Sequence, residues 1–243
     1  MEELLSKIEF SSIPTYKYNN IDIQNNIDND TPCIFKYDDL ISPDDFLKII
    51  RNHYANYGPS GQVTRTKGKV LINDILDDNN NIINLNNNYV FDDCFKKNIV
   101  EQLFQHIIYK NNSIIQNLKT RVVNIYAANK NTGSILHNHT GALNYLIKGK
   151  KIWLMIPPHE HYIKFIRENG FHFGEVKEEP CEWFINHYEH IRNCIPELIV
   201  IQQNENDIVY VPHRWFHHVV NLEDSFGITY SWFPKNFPNL RKI

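Results

Sequence analysis

The sequence has no long hydrophobic run and no signal peptide, and these absences argue against a membrane or secreted protein. No apolar stretch approaches the roughly 18 residues that a membrane-spanning helix needs. The first ten residues, MEELLSKIEF, are acidic and lack the basic start and apolar centre of a signal peptide. We therefore expect a protein without membrane contact that is located in the cytoplasm or the nucleus.

The cysteine spacing and the net charge do not indicate a disulfide-rich, zinc-finger or nucleic-acid-binding protein. The four cysteines show no CxxC or zinc-finger spacing, which favours reduced thiols in an intracellular protein. The 25 basic and 28 acidic residues give a net charge of −3, so no global basic field supports nucleic-acid binding. At 243 residues the chain is long enough to bury the core of one β-barrel domain.

The N-terminal part, residues 1–120, mixes helix and strand signals. Ser42 followed by Pro43 predicts a helix N-terminus, since serine caps the first turn and proline suits its first position. A second helix is predicted over Asp92 to Lys110, after a loop over residues 77–88. Short apolar runs predict edge strands at 31–35 and 69–72.

From Arg121 onward, short apolar runs separated by turn residues predict strands. An amphipathic helical insert covers about 159–193. No internal repeat or linker is present, so we expect one domain over residues 1–243, with a barrel core in 121–243. The predicted strands of that core are 122–127, 134–139, 143–147, 152–156, 198–201, 208–211, 216–221 and 226–233.

Three histidines have a spacing that suits a metal site. His137 and His139 are two residues apart on a predicted strand, so their side chains should point to the same face. A pair of this kind, completed by a distant histidine, resembles the iron site of two histidines and one carboxylate, except that His139 stands at the acid position. Of the adjacent His217 and His218, only one can join the pair, because neighbouring strand residues point to opposite faces.

Residues 134–158 and 198–233 resemble the JmjC (cupin-like) subgroup of 2-oxoglutarate-dependent oxygenases. The resemblance implies a mainly β fold, a double-stranded β-helix or jelly roll, with a helical N-terminal layer and a helical insert. It rests on motifs that occur in the family's order: Gly133-Ser134 before His137, Gly149-Lys150-Lys151-Ile152-Trp153, Pro157-Pro158, Gln202 to Pro212 with Asn206 replacing a glycine, and Trp215-Phe216-His217 with Asn221.

The same resemblance implies the site and its cofactors. Fe(II) would be bound by His137, His139 and His217, with 2-oxoglutarate as cosubstrate. Lys151 would pair with the distal carboxylate of 2-oxoglutarate, and Asn144 and Ser134 would complete its site.

The resemblance also implies a hydroxylase that acts on a protein substrate. The chain ends at Ile243, soon after the last predicted strand, which favours a monomer over the dimers that form through C-terminal helices. Because His139 replaces the acid, two alternatives stay open: a non-catalytic JmjC-like binding module, and a three-histidine metal dioxygenase that does not use 2-oxoglutarate.

Overall fold

The computed structural model describes residues 2–17, 30–36, 41–61, 67–79, 81–92, 120–171 and 176–232. Five strands lie in the N-terminal part of these residues, together with two α-helices and the 3-10 turn Ile72–Ile75. The strands are β1 (Thr15–Lys17), β2 (Cys33–Lys36), β3 (Tyr54–Pro59), β4 (Gly68–Leu71) and β5 (Asn88–Asp92), and the helices are α1 (Glu2–Leu5) and α2 (Pro43–Ile50).

The C-terminal part contains eight strands and two helices among the described residues. The strands are β6 (Thr120–Ala128), β7 (Gly133–His137), β8 (Gly141–Lys148), β9 (Lys150–Ile156), β10 (Ile199–Asn204), β11 (Asp207–Val211), β12 (Phe216–Asn221) and β13 (Ser225–Trp232). The helices are α3 (Glu160–Glu168) and α4 (Pro180–Cys194).

These strands form two sheets that face each other, as in a jelly roll. The larger sheet has the order β1-β2-β11-β8-β13-β6-β5-β3-β4, and the smaller has the order β10-β9-β12-β7. Side chains from both sheets, such as Val209 of the larger and Trp153 of the smaller, meet in one buried cluster. The predicted mainly β jelly-roll class is therefore confirmed.

Helices cover the outer faces of both sheets. Phe46 and Leu47 of α2 pack on the larger sheet, and Trp183 and Phe184 of α4 pack on the smaller one. Burial of side chains of this size contributes about 1.5–3 kcal/mol each. The insert is thus a packing layer, divided into two helices.

The start of α2 agrees with its sequence signal. Ser42 is the N-cap, and its hydroxyl oxygen accepts a hydrogen bond of 3.1 Å from the backbone N–H of Asp45. Pro43 occupies the first turn, where its missing N–H costs nothing.

No helix in the described part of the chain is long and apolar enough to cross a membrane.

The region around residue 90 differs from the prediction. Residues Asn88–Asp92 form strand β5, which pairs with both β3 and β6, where a loop end and a helix start were expected. Cross-strand pairing and burial of Val90 outweigh the turn preference of the preceding asparagines. Beyond Asp92, the predicted helix lies outside the described residues.

Candidate active site

The three histidines of the predicted metal site come together at one end of the barrel. His137 ends β7, and His217 in β12 is its direct partner in the antiparallel pair. Their ring centroids are 4.2 Å apart. His139 joins them, with its ring centroid 4.6 Å from that of His217 and 5.4 Å from that of His137.

The prediction that His139 lies on the same strand as His137 was wrong. β7 ends at His137, so His139 lies in the loop that follows and not on the strand. The backbone N–H of Arg214 donates a hydrogen bond of 2.9 Å to the His139 carbonyl, which ties this loop to the turn before β12. The convergence of His139 therefore depends on a contact between two loops.

Each of the three imidazoles uses its Nδ1 atom for a backbone hydrogen bond. The Nδ1 atoms of His137, His139 and His217 lie 2.7, 2.6 and 3.1 Å from the carbonyl oxygens of Ile135, Thr140 and Trp215. A carbonyl only accepts, so Nδ1 carries the hydrogen and a neutral ring keeps its lone pair on Nε2. Backbone carbonyls that accept from Nδ1 in this way orient histidine rings so that Nε2 can bind a metal.

The electrostatics keep these rings uncharged. Desolvation lowers the pKa of His137 to about 3, and repulsion from His139 acts in the same direction. Desolvation also lowers the pKa of His139 and that of His217, the latter well below its usual value. One ring nitrogen from each residue lies within 4.8 Å of the others, so this donor set fits a divalent metal that accepts imidazole.

A cavity of about 160 Å³ opens beside the three histidines, between the two sheets. It is of the size of an engineered cavity of about 150 Å³ that holds benzene, and so suits a small molecule. All three predicted cosubstrate residues line it. The lining comprises Tyr89, Phe91, Ser134, His137, His139, Ala142, Asn144, Lys151, Trp153, Val211, His217, Val219 and Thr229.

Lys151 places a buried amino group in this cavity. Lys151 is 1% exposed, and desolvation lowers the pKa of its amino group well below the usual value. An anion bound beside it would restore the charge lost to burial, because opposite charges favour the ionised form. The buried amino group of Lys151 therefore suits a carboxylate as its ligand.

Asn144 is held in place by two hydrogen bonds. Its Oδ1 atom accepts a hydrogen bond of 3.1 Å from the Tyr126 hydroxyl, and its Nδ2 group donates one of 2.9 Å to the Thr229 hydroxyl. Ser134, on β7 beside the histidines, lines the cavity as well. The roles of Ser134, Asn144 and Lys151 in cosubstrate binding stay predictions, although their positions suit those roles.

Sequence reasoning missed some of the cavity wall. Thr229 and Tyr89 were not singled out. Trp153, named above only as part of a motif, also borders the cavity, and its indole donates a hydrogen bond to Gln203. Thr229 is placed opposite Asn144 by the pairing of β13 with β8. That register cannot be read from the local sequence.

His218 points away from the metal site, as the alternation of strand residues requires. Its Nε2 atom lies 3.0 Å from the Pro180 carbonyl oxygen, and its ring stacks on Trp183 with a centroid distance of 4.4 Å. Burial lowers its pKa to about 3.

We expect His218→Phe to weaken the pH dependence of stability. An unfolded chain binds a proton at His218 near the ordinary pKa of 6.5, whereas the folded chain does so only near 3. Between these values His218 therefore lowers the stability of the wild-type protein by about 1.4 kcal/mol per pH unit as the pH falls, in addition to the effect of other groups. Urea unfolding of both proteins at several pH values measures this difference. Equal slopes for the two proteins would contradict the prediction, and His161→Phe, at an exposed position, is the control.

Comparison with known proteins places this geometry in a family. The model of the cupin-like domain matches residues 51–239. An arginine-specific demethylase, JMJ22 of Arabidopsis thaliana, is 31% identical over 110 residues, which are 42% of this chain and 21% of that protein. A 2-oxoglutarate and iron-dependent oxygenase, the JMJD4 homolog of Drosophila melanogaster, is 29% identical over 126 residues, or 51% of this chain and 27% of that protein.

A third relative is the bifunctional arginine demethylase and lysyl-hydroxylase psr-1 of Caenorhabditis elegans, which is 28% identical over 97 residues, or 38% of this chain and 24% of that protein. The chain thus spans about a quarter of the length of these curated relatives. The family model covers most of the chain, and the fold agrees with it. This chain therefore belongs to the cupin-like domain family and is related to its JmjC-type oxygenases.

Proposed function

We propose that this protein is an Fe(II)- and 2-oxoglutarate-dependent oxygenase that hydroxylates a side chain of a protein substrate. One observation carries the proposal: three imidazoles, each with its Nδ1 atom at a backbone carbonyl and a ligand atom within 4.8 Å of the others, line the same small cavity as a buried lysine. The names of the relatives, which include 2-oxoglutarate and iron-dependent oxygenases and a lysyl-hydroxylase, support the reaction class and a protein substrate.

The residues that line the cavity have different proposed roles. His137, His139 and His217 would hold Fe(II), which supplies oxygen activation when it is bound. Lys151 would bind the distal carboxylate of 2-oxoglutarate through a charge-assisted hydrogen bond, and Asn144 and Ser134 would orient the cosubstrate. The apolar and aromatic part of the wall, which includes Phe91 and Trp153, would limit the access of water to the reaction.

The substrate would approach from the side of His139. This residue is exposed, whereas His217 is 3% exposed and Lys151 is 1% exposed. The cosubstrate would therefore occupy the closed end of the cavity, beside Lys151, and the histidines would hold the metal nearer the open end. A protein side chain would then reach the metal from the solvent without displacing 2-oxoglutarate.

His139 is the residue that separates the candidate functions. We expect the wild-type protein to form succinate from 2-oxoglutarate in the presence of Fe(II) and oxygen. His139→Asp should retain metal binding and succinate formation, because a carboxylate is also an iron ligand. His139→Leu removes the donor at similar volume and should lower metal affinity at least about tenfold.

These variants also test the non-catalytic alternative. If the protein is a non-catalytic binding module, neither the wild-type protein nor His139→Asp should form succinate. This alternative also predicts that His139→Leu leaves metal binding unchanged. Calorimetry with Fe(II) under anaerobic conditions, followed by succinate quantification, decides between the two proposals.

A second candidate is a three-histidine metal dioxygenase that does not use 2-oxoglutarate. The neutral imidazole of His139 favours it, since a carboxylate would give the metal one more negative ligand charge. Oxygen uptake measured with and without 2-oxoglutarate separates the two reactions. We expect no uptake without 2-oxoglutarate, because Lys151 has a role only when an anionic cosubstrate is bound.

A further inference from the structure

Tyr126 lies directly behind the cosubstrate end of the cavity and contacts two residues that line it. Its ring centroid is 3.5 Å from the Lys151 Nζ atom. Its hydroxyl lies 3.1 Å from Asn144 Oδ1 and 2.8 Å from the Tyr145 carbonyl oxygen. Tyr126 itself is 1% exposed and does not border the cavity. It can therefore act on a ligand only through Lys151 and Asn144.

Burial of a protonated Lys151 costs free energy before any ligand binds, and a neighbouring group has to offset that cost. Within the described part of the chain, no carboxylate forms an ion pair or a hydrogen bond with its ammonium group. A carboxylate at this point would neutralise the charge and compete with an incoming anion. An aromatic face attracts the ammonium through its quadrupole without adding a negative charge.

We propose that Tyr126 is a positioning residue whose ring face holds the Lys151 ammonium ready for a dicarboxylate while its hydroxyl fixes Asn144. The ring adds no negative charge beside Lys151, so a ligand carboxylate would form the first ion pair of this side chain within the described part of the chain. This inference rests on the proposed function, since it concerns how the cavity binds 2-oxoglutarate.

The neighbouring strand is shaped to admit the Tyr126 phenol. Gly227 in β13 is the cross-strand partner of Tyr126. A Cβ atom at Gly227 would lie 2.3 Å from the Tyr126 hydroxyl oxygen and 2.1 Å from the Tyr145 carbonyl oxygen. A side chain at this position would therefore displace the phenol from its contact with Asn144. The absence of a side chain at Gly227 keeps Tyr126 under Lys151.

Two variants of Tyr126 separate the ring from the hydroxyl. Tyr126→Phe keeps the aromatic face, whereas Tyr126→Leu removes it and stays apolar. We expect Tyr126→Leu to weaken 2-oxoglutarate binding to the metal-loaded protein by roughly 10- to 30-fold. Tyr126→Phe should restore most of this loss and leave a deficit of about two- to fivefold from the freed Asn144.

Binding of oxalate and of the metal alone distinguishes positioning from damage to the fold. Oxalate can chelate the metal but is too short to reach Lys151 as well, so its affinity should be the same in all three proteins. Titration calorimetry of Zn(II), then of oxalate and 2-oxoglutarate, provides these values. Equal 2-oxoglutarate affinities in Tyr126→Leu and wild type, or equal losses for oxalate and 2-oxoglutarate in Tyr126→Leu, would overturn the inference. Failure of the wild-type protein to bind 2-oxoglutarate would instead overturn the proposed function.

Discussion

His217→Ala is expected to abolish tight binding of a divalent metal, with a loss of affinity of roughly 100-fold or more. His217 is 3% exposed and lies beside both other rings, so its removal leaves His137 and His139 with centroids 5.4 Å apart and, among the residues that the structure describes, no third donor in the group. Even the loss of a group that only hydrogen-bonds to a ligand costs about 10- to 100-fold in metal affinity, and loss of a ligand costs more.

The change in unfolding temperature on adding metal measures this effect. A metal present at about 1,000 times its dissociation constant stabilises the folded state by about 4 kcal/mol, which raises the unfolding temperature by the order of 10 °C. This shift should be absent in His217→Ala. Each protein is compared with itself, so a general loss of stability in the variant does not affect the result.

His161→Ala is the matched control for the number of histidines. His161 is exposed in α3 and lies outside the metal group, so its variant should keep the full shift. If His217→Ala retained a metal-dependent shift equal to that of the wild type, the three-histidine site would not be the site of binding.

Lys151→Met is expected to lose 2-oxoglutarate binding while it keeps metal binding. Without the ammonium, the distal carboxylate would be buried without a partner, which costs about 3–5 kcal/mol. This corresponds to a loss of affinity of roughly 100-fold or more. Titration of 2-oxoglutarate into the metal-loaded protein measures it.

The same substitution should make the free protein more stable. Burial lowers the pKa of Lys151, so the folded state opposes protonation of this side chain, and methionine removes that cost at similar volume. We expect the free energy of unfolding at neutral pH to rise by about 1 kcal/mol or more. Weaker ligand binding together with higher stability cannot result from misfolding.

Lys150→Met provides the control on the neighbouring residue. Lys150 has the opposite orientation on β9, and its Nζ atom is 2.8 Å from the Glu223 carboxylate at the surface. An exposed ion pair contributes at most about 1 kcal/mol, so neither stability nor 2-oxoglutarate affinity should change much. A similar loss of affinity in both variants would mean that Lys151 has no specific role.

Much of the fold could be predicted because its signals are local. The cap at Ser42 and the short apolar runs from Arg121 onward depend only on neighbouring residues, and these elements appear in the structure within a few residues of their predicted bounds. Asn206, predicted to replace a glycine in its turn, has a φ of 69°, a conformation that asparagine tolerates better than most residues. Strand β5 was missed because its stability comes from pairing with β3 and β6, which are distant in sequence.

The sequence by itself determined the elements of the barrel, the three histidines and the lysine, since spacing and motif order are properties of the chain. Only the tertiary structure decided that His139 reaches the other two rings from a loop, that three carbonyl groups fix the tautomers, and that Tyr126 lies beneath Lys151. The physical reason is that these features depend on contacts between strands and loops far apart in the chain. Such contacts exist only once both sheets have paired and closed around the cavity.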